Sequence, residues 1–144
     1  MKVYFDTSSF VKRFVDEVGS KQVDDVIQKA SEIGLSIICF PELMSALNRK
    51  LRSELITKEI YLDLKSEIME DIKDADIINL TPEVINKTTE LLENNFLRSL
   101  DAMHLACALE WKTELFVSSD ERQVTAAINS GLNVEFIEGY KFKK

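Results

Sequence analysis

The sequence has few cysteines and no long apolar run, the features that mark disulfide-rich, zinc-binding and membrane-spanning proteins. It has two cysteines in 144 residues, Cys39 and Cys107, each inside an apolar segment without a second cysteine or a histidine at zinc-ligand spacing. We therefore expect two buried free thiols rather than a disulfide framework or a zinc site. No apolar run approaches the roughly 20 residues that a transmembrane helix needs. The N-terminus reaches an acid at Asp6, too early for a signal peptide, so a cytoplasmic protein without a membrane partner is predicted.

Glycine and proline are also scarce, and the 18 basic residues are fewer than the 25 acids. Four glycines and two prolines give no sign of a linker, so residues 1–144 are expected to form one domain. The formal net charge of −7 argues against a protein that coats nucleic acid, because such proteins are normally basic. A nuclease stays open, since part of the negative charge can belong to a metal site. The remaining charge favours a basic protein partner.

Short apolar runs alternate with helical patterns along the whole chain. Strands are predicted at residues 2–5, 35–40, 76–80, 115–118 and 134–137. Helices are predicted at residues 8–15, 20–30, from 41, from 57, 81–94, 99–111 and 120–129, with Gly34 ending the second one and a basic tail at residues 140–144. The strands are continuous apolar runs. Together with the alternation, they predict an α/β fold in which helices cover both faces of a parallel sheet of about five strands.

Four acids stand against apolar segments, where a carboxylate is costly. They are Asp6 after residues 3–5, Glu42 after residues 37–41, Asp120 after residues 115–119, and Asp101 within the apolar segment 100–109. Moving one ionised carboxylate out of water costs several kcal/mol unless it is compensated. Ligands of parallel sheets bind beyond the carboxyl ends of the strands. If the fold gathers these acids there, a hard divalent cation is the natural compensator, which predicts a metal-dependent phosphodiesterase that uses Mg²⁺ or Mn²⁺.

Each acid also has a purely structural explanation. Asp6 or Asp120 can cap a helix, and Gln123 would complete a capping box with Asp120. Glu42 and Asp101 can complement the dipole in a first helical turn. A cap does not require the apolar surroundings of Asp101, however, and the four acids together favour a shared cation.

Hydroxyl and basic side chains lie near the acids in the sequence. Ser8 and Ser118 are candidates to donate to carboxylate oxygens and orient them, whereas ordinary helix-start chemistry is favoured for Thr7. His104, the single histidine, is interpreted as a structural residue within reach of Asp101. The candidate phosphate contacts, each with a solvated side chain as the plain alternative, are Lys12, Arg49, Arg98 and Arg122.

Four segments in order resemble the PIN-domain family, and within it the VapC-type toxin ribonucleases of toxin–antitoxin pairs. They are residues 5–12 (FDTSSFVK), 41–47 (PELMSAL), 100–106 (LDAMHLA) and 117–120 (VSSD). The resemblance implies a three-layer α/β/α sandwich with Asp6, Glu42, Asp101 and Asp120 as an acidic quartet. In that family the quartet binds Mg²⁺ or Mn²⁺ and activates water for RNA cleavage. The resemblance also implies Ser8 and Ser118 as supporting hydroxyls, a homodimer, and a protein antitoxin that covers the site.

Other functions remain open at this point. A PIN nuclease can process RNA without being a toxin, and a degenerate PIN fold can serve as a protein-binding module. An aspartyl-phosphate phosphatase would need an acid where Ser8 stands, and a receiver domain would need paired acids after the first strand. One or two metal ions are both possible, because Glu121 is the only acid beside Asp120. The fourth helix is expected to expose an apolar face around Ile60, Leu64 and Ile68 that contacts a second copy or the antitoxin.

Overall fold

The computed structural model describes residues 1–139, so the basic tail predicted at residues 140–144 lies outside the described residues. In chain order the elements are β1 (Lys2–Phe5), α1 (Thr7–Phe10), a 3-10 turn (Val11–Arg13), α2 (Ser20–Lys29), β2 (Glu32–Ser36), α3 (Cys39–Arg52), α4 (Lys58–Lys73), β3 (Asp76–Ile78), α5 (Pro82–Asn94), α6 (Ser99–Trp111), β4 (Leu115–Ser118), α7 (Glu121–Asn129) and β5 (Val134–Phe136). Within residues 1–139, no helix is both long enough and apolar enough to cross a membrane.

All strand pairs of the sheet are parallel, in the order β3-β2-β1-β4-β5. The direction of winding reverses between β1 and β4, where Tyr4 pairs with Phe116. Ligands of open α/β sheets bind beyond the carboxyl ends of the strands at such a reversal. The backbone N–H of Asp6 donates to the carbonyl of Val117 at 3.1 Å, so the chain leaves β1 directly beside the end of β4.

Two apolar cores lie on opposite faces of the sheet. Successive strand side chains point to opposite faces, so Val3 and Phe5 join a core with α1 to α4, whereas Tyr4 joins a core with α5 to α7. The rings of Tyr4 and Phe116 stack in this second core with their centroids 5.7 Å apart. The predicted three-layer α/β/α sandwich around a five-stranded parallel sheet is therefore confirmed.

Several predicted elements are confirmed closely. The fourth strand and the helix over residues 99–111 have the predicted bounds. Thr81 and Thr57 cap α5 and α4, because their side chains accept from the backbone N–H groups of Val84 and Ile60. The starts of α4 and α5 are predictable because each has a capping threonine, and α5 also has a proline in its first turn.

The region around the second strand differs from the prediction. β2 occupies Glu32–Ser36 rather than residues 35–40, and α3 begins at Cys39, before Pro41. The apolar run therefore continues from a strand through a turn into a buried helix, which periodicity cannot separate. Gly34 lies inside β2 rather than at a helix end. A Cβ atom there would lie 2.6 Å from the ring of Trp111, so the glycine makes room for α6 on the sheet.

The first two helices also depart from the prediction. α1 ends at Phe10 and continues as the 3-10 turn Val11–Arg13 instead of running to residue 15. α2 ends at Lys29, and its N-cap is Gly19, with a φ of 94°, rather than Ser20. Only a residue without a side chain adopts this left-handed conformation readily.

The apolar face expected on the fourth helix is not exposed as a whole. Ile68 is fully buried and Leu64 packs against the first core, so only Ile60 of the three is exposed. The reason is that α4 packs against α3. Apolar residues at helical spacing form one face of α4, and this face is the one that packs on the core.

Candidate active site

The four acids singled out in the sequence line one cleft of about 440 Å³. Asp6 follows β1 and caps α1, and Asp120 follows β4 and caps α7. Glu42 and Asp101 lie in the first turns of α3 and α6. Because β1 and β4 flank the reversal of the sheet, their carboxyl ends meet, and the starts of α3 and α6 bring the other two acids to the same place. The structure therefore gathers all four residues.

Asp6 is buried and held by four hydrogen bonds. Its Oδ1 accepts from the backbone N–H of Ser9 at 3.0 Å and from the Ser9 hydroxyl at 2.7 Å. Its Oδ2 accepts from the hydroxyls of Ser8 at 2.7 Å and Ser118 at 2.9 Å. Donors to a carboxylate stabilise its ionised form. Ser8 and Ser118 thus contact Asp6 as expected, and Ser9 contributes a third hydroxyl that the sequence did not single out.

The hydroxyl of Ser118 lies between two acceptors. It is 2.9 Å from Oδ2 of Asp6 and 2.8 Å from Oε1 of Gln123, but it carries one hydrogen. The same oxygen accepts from the backbone N–H of Asp120 at 3.0 Å. Ser118 can therefore turn its hydrogen to Gln123 and release one lone pair of Asp6 for another ligand.

The capping box expected at the start of α7 is only half formed. The carboxylate of Asp120 accepts from the backbone N–H of Gln123 at 2.9 Å, as predicted. The Gln123 side chain does not return to Asp120. Its amide donates to the backbone carbonyl of Asp101 at 3.0 Å. Gln123 is fully buried, and it ties the start of α6 to the start of α7, so that two of the acids are held in fixed relation.

Two donors hold one oxygen of Glu42. Its Oε1 accepts from the Thr7 hydroxyl at 2.7 Å and lies 2.6 Å from Nε2 of His104. Burial raises the pKa of Glu42. The hydrogen bond from His104, the attraction of that ring and the hydrogen bond from Thr7 outweigh the burial, so the pKa lies below its usual range. Glu42 is therefore held as a carboxylate. Thr7, interpreted from the sequence as a helix-start residue, is in contact with this acid.

His104 is a buried residue of the cleft wall with both ring nitrogens engaged. Its side chain is 2% exposed. Nδ1 lies 2.9 Å from the hydroxyl of Tyr4, and Nε2 lies against Glu42. The sequence predicted that His104 lies within reach of Asp101, which precedes it by three residues on α6. The structure instead connects it to Glu42, 62 residues away.

Asp101 experiences the other acids directly. Burial raises its pKa, and the negative charges of Asp120 and Asp6 raise it further, against the opposing effect of Arg98. The Nε of Arg98 donates to Oδ2 of Asp101 at 3.2 Å, but the arginine is 79% exposed, so the pair is weak. The ionised form of Asp101 is therefore electrostatically disfavoured in this cleft.

Two of the four basic residues proposed as phosphate contacts lie at the cleft. Arg49 and Arg98 line it together with the acids. Lys12 is placed differently from the prediction. Its side chain is 5% exposed, and its ammonium donates to the carbonyl of Val18 at 2.8 Å and to Glu17 at 3.2 Å.

Arg122 also lies away from the four acids. Its guanidinium stands over the ring of Phe96, 5.0 Å from the centroid, and it lines a neighbouring groove instead of the cleft. The contact is a cation–π interaction. The sequence spacing of Arg122 from Asp120 did not reveal it, because the ring belongs to the segment before α6.

The donor set fits a hard divalent cation. The four acids offer oxygen ligands only, which favours Mg²⁺ or Mn²⁺ over zinc, and both nitrogens of His104 are occupied. Positive charge would also relieve the repulsion that raises the pKa of Asp101. Across residues 1–139, no three His, Cys, Asp or Glu side chains already stand as a ready ligand cluster. The acids thus share a cleft without converging on one point.

Comparison with known proteins assigns the family. The sequence matches the family described as PIN domain over residues 3–129. The chain belongs to the PIN-domain family. It is 30% identical over 107 residues, 74% of each chain, to Ribonuclease VapC45 from Mycobacterium tuberculosis (strain CDC 1551 / Oshkosh). The resemblance read from the four motifs is therefore confirmed.

Solved structures support the same fold. VapBC2 from Rickettsia felis, solved bound to a DNA fragment from their promoter, is similar with a TM-score of 0.68 and 15% identity, covering 96% of this chain and 100% of that chain. VapC20 from Mycobacterium tuberculosis, described as a Sarcin-Ricin loop cleaving toxin, is similar with a TM-score of 0.67 and 12% identity, covering 86% and 94%. At these identities the likeness concerns the PIN fold.

Proposed function

We propose that this PIN-domain protein is a divalent-metal-dependent endoribonuclease and the toxin of a toxin–antitoxin pair. The observation that carries the proposal is the single cleft, at the reversal of the sheet, that all four acids line. The ribonuclease activity named for VapC45, the relative at 30% identity, supports RNA as the substrate. We take residues 1–144 as one nuclease unit.

The metal would be held by Asp6, Glu42, Asp101 and Asp120, and we propose Mg²⁺ or Mn²⁺. Such an ion lowers the pKa of a bound water and neutralises charge on the phosphate during hydrolysis. The protein prepares the ligands: Ser8 and Ser118 orient Asp6, and His104 orients Glu42.

Substrate phosphates would be bound by the two arginines of the cleft. Arg98 is 79% exposed and its only ion pair within the described residues is with Asp101, so it can turn to a phosphate at small cost. Arg49 lies on α3 about two helical turns after Glu42 and therefore on the same face of the helix, and it lines the same cleft. Guanidinium groups bind phosphate oxygens bidentately and position the backbone without reading its sequence. We therefore propose Arg49 and Arg98 as RNA contacts and omit Lys12.

The metal and RNA assignments are tested together by Asp101→Asn. The substitution keeps the size and helix position of the side chain but removes one negative ligand. We expect metal-dependent cleavage of RNA to fall to background and Mn²⁺ binding, measured by calorimetry, to weaken. Asp63→Asn is the matched control, because Asp63 is exposed on α4 and lines a different groove. Cleavage by Asp101→Asn at the wild-type rate would refute the proposal.

The antitoxin is proposed as the protein partner, together with a homodimer of this chain. Two structures that share the fold support this: one is described as a toxin–antitoxin complex from Klebsiella pneumoniae, and VapBC2 from Rickettsia felis was solved bound to a DNA fragment from their promoter. The test is growth on induction of this chain, alone and with the product of the neighbouring upstream gene. We expect growth arrest that the partner relieves and that Asp101→Asn does not cause. Cleavage without growth arrest would instead identify an RNA-processing nuclease.

A degenerate PIN module that binds protein only is the second candidate. One observation favours it: Asp6 already accepts four hydrogen bonds, about the capacity of a carboxylate. The second acceptor of Ser118 weakens this argument, because the hydroxyl can donate to Gln123 instead. Absence of Mn²⁺ binding at millimolar metal would favour the module over the nuclease.

A further inference from the structure

Tyr4, His104 and Glu42 form a continuous polar chain that runs from the interior of the sheet to the cleft. Tyr4 is fully buried on β1, and His104 on α6 is 2% exposed, whereas Glu42 on α3 borders the cleft. The contacts are 2.9 Å from the Tyr4 hydroxyl to Nδ1 and 2.6 Å from Nε2 to Oε1. Three separate elements of the fold are needed to build this chain, and burying polar groups is costly unless each is satisfied.

The direction of both hydrogen bonds follows from the chemistry of the groups. Nε2 lies 2.6 Å from Oε1, so one hydrogen must lie between these two atoms, and the ring nitrogen is its donor to the acid oxygen. In a neutral imidazole the other nitrogen, Nδ1, is then an acceptor. Burial raises the pKa of Tyr4 well above its usual value, so its phenol keeps the hydrogen that it can donate to Nδ1. If the ring carries a second hydrogen, Nδ1–H donates to the Tyr4 oxygen instead, so the same two contacts hold the ring in either case.

We propose that Tyr4 and His104 are positioning residues that fix the orientation of the Glu42 carboxylate. The hydroxyl of Tyr4 holds the imidazole ring, and the Nε2–H of that ring holds Oε1. Within residues 1–139 the other oxygen of Glu42, Oε2, has no hydrogen-bond partner, so it is the oxygen available to a ligand. The inference rests on the proposed function, because it assigns a role in preparing that site.

The alternative is a chain that contributes to folding alone. A structural hydrogen bond stabilises the protein without affecting a ligand at Glu42. A positioning residue instead acts through the metal affinity, which loss of a ligand's hydrogen-bond partner typically lowers by 10–100-fold. The two explanations therefore differ in a quantity that thermal stability does not report.

The first experiment observes the ring directly. His104 is the only histidine of the chain, so nitrogen NMR of ¹⁵N-labelled protein gives one pair of ring signals. We expect Nε2 to carry a hydrogen and Nδ1 to be hydrogen-bonded in the protein without metal. Tyr4→Phe keeps the ring that stacks on Phe116 and should move Nδ1 to the position of a nitrogen without a donor. An Nε2 without a hydrogen, or an Nδ1 signal that Tyr4→Phe leaves unchanged, would overturn the proposal.

The second experiment measures Mn²⁺ affinity by calorimetry. Tyr4→Phe should bind Mn²⁺ about tenfold more weakly, because the imidazole loses the donor that orients it. Tyr61→Phe is the matched control: Tyr61 is also nearly buried, and its hydroxyl accepts from Asn48 at 3.0 Å, outside the cleft. Equal affinities of Tyr4→Phe and Tyr61→Phe would overturn the positioning role.

Substitutions of the histidine provide a rescue that a structural role would not produce. His104→Gln retains an N–H donor that can reach Glu42, whereas His104→Leu removes it. We expect the order of Mn²⁺ affinity to be wild type, Gln, Leu, and the loss in RNA cleavage to fall on kcat more than on KM, since the arginines that bind phosphate are unchanged. Equal affinity of the two variants would contradict the proposal.

The outcomes separate this inference from the proposed function. If wild-type protein shows the expected ring signals but neither binds Mn²⁺ nor cleaves RNA, the nuclease proposal fails while the hydrogen-bond arrangement stands. If wild-type protein binds Mn²⁺ and cleaves RNA, but Tyr4→Phe and His104→Leu do so equally well, the nuclease proposal stands and the positioning role fails.

Discussion

Gly34→Ala offers a test of how α6, which carries Asp101 and His104, is seated on the sheet. A Cβ atom at position 34 would lie 2.6, 2.7 and 2.9 Å from three atoms of the Trp111 ring. The ring is held on its other sides. Its Nε1–H donates to Asp76 at 3.2 Å, and the Lys2 ammonium lies 4.3 Å from the ring centroid. The ring cannot give way without breaking these contacts.

The expected cost follows from two opposing effects. Overpacking a tight contact costs about 1–3 kcal/mol. Replacing a glycine within a strand by alanine returns about 0.5–1 kcal/mol through the unfolded chain. Because the ring is held on its other sides, the cost lies in the upper part of that range, at about 2–3 kcal/mol. The net loss is then about 1–2.5 kcal/mol, which for a chain of this length lowers Tm by about 3–8 °C. A displaced α6 would also shift Asp101 and His104 within the cleft, so RNA cleavage should fall together with stability.

Thermal unfolding followed by circular dichroism measures the effect. Gly139→Ala is the control, because a Cβ atom at Gly139 would meet nothing within 4 Å, and its Tm should stay unchanged. Trp111→Leu removes the ring, so adding Gly34→Ala to that variant should cost little. The reasoning is refuted if Gly34→Ala melts at the wild-type temperature, or if it lowers Tm equally with and without Trp111.

Three further predictions concern the acids and the basic and apolar surfaces. Folding raises the pKa of Asp101, so the favourable contribution of this residue to the free energy of unfolding is present in acid and is lost as pH rises through the folded-state pKa. Asp101→Asn should therefore be more stable than wild type at neutral pH and lose that advantage in acid. Melting curves at both pH values measure this. Lys12→Ala should cost about 1–3 kcal/mol of unfolding free energy, because it removes a buried side chain from its packing and leaves the Val18 carbonyl without its donor. Arg49→Ala should instead weaken RNA binding at unchanged Tm, and the reverse pattern would contradict the placement of these residues. Leu64→Glu should destabilise the protein by about 1–3 kcal/mol, and Leu62→Glu, at a 52% exposed position, should not, as denaturant titration would show.

The sequence was sufficient for the layers and the acids because both depend on local signals. Continuous apolar strands, capped helix starts such as that at Thr81, and the parallel alternation together limit the fold to a doubly wound sheet. In such a sheet the residues after β1 and β4 must meet at one edge. The sequence therefore predicts that Asp6 and Asp120 lie close together.

The partners of the acids were not accessible in the same way. His104 lies one helical turn from Asp101, so sequence spacing favours that pair, yet the ring reaches Glu42 on α3. Gln123 completes a capping pattern with Asp120, but its side chain bonds Ser118 and the carbonyl of Asp101. In both cases a long-range contact wins over a local one, and no local spacing encodes it.

Asp6 shows why the structural and the functional explanations of these acids do not compete. As a helix cap it uses Oδ1, which accepts from the backbone and hydroxyl of Ser9. Among the described residues, the other oxygen accepts from the hydroxyls of Ser8 and Ser118 alone, and Ser118 has a second acceptor 2.8 Å away. The cap fixes the carboxylate in place, and the hydroxyl of Ser118 can turn to Gln123 if Asp6 binds the proposed cation. A residue that caps a helix at the edge of a parallel sheet already has its side chain fixed by the capping hydrogen bonds. Binding a ligand there need not restrict that side chain further.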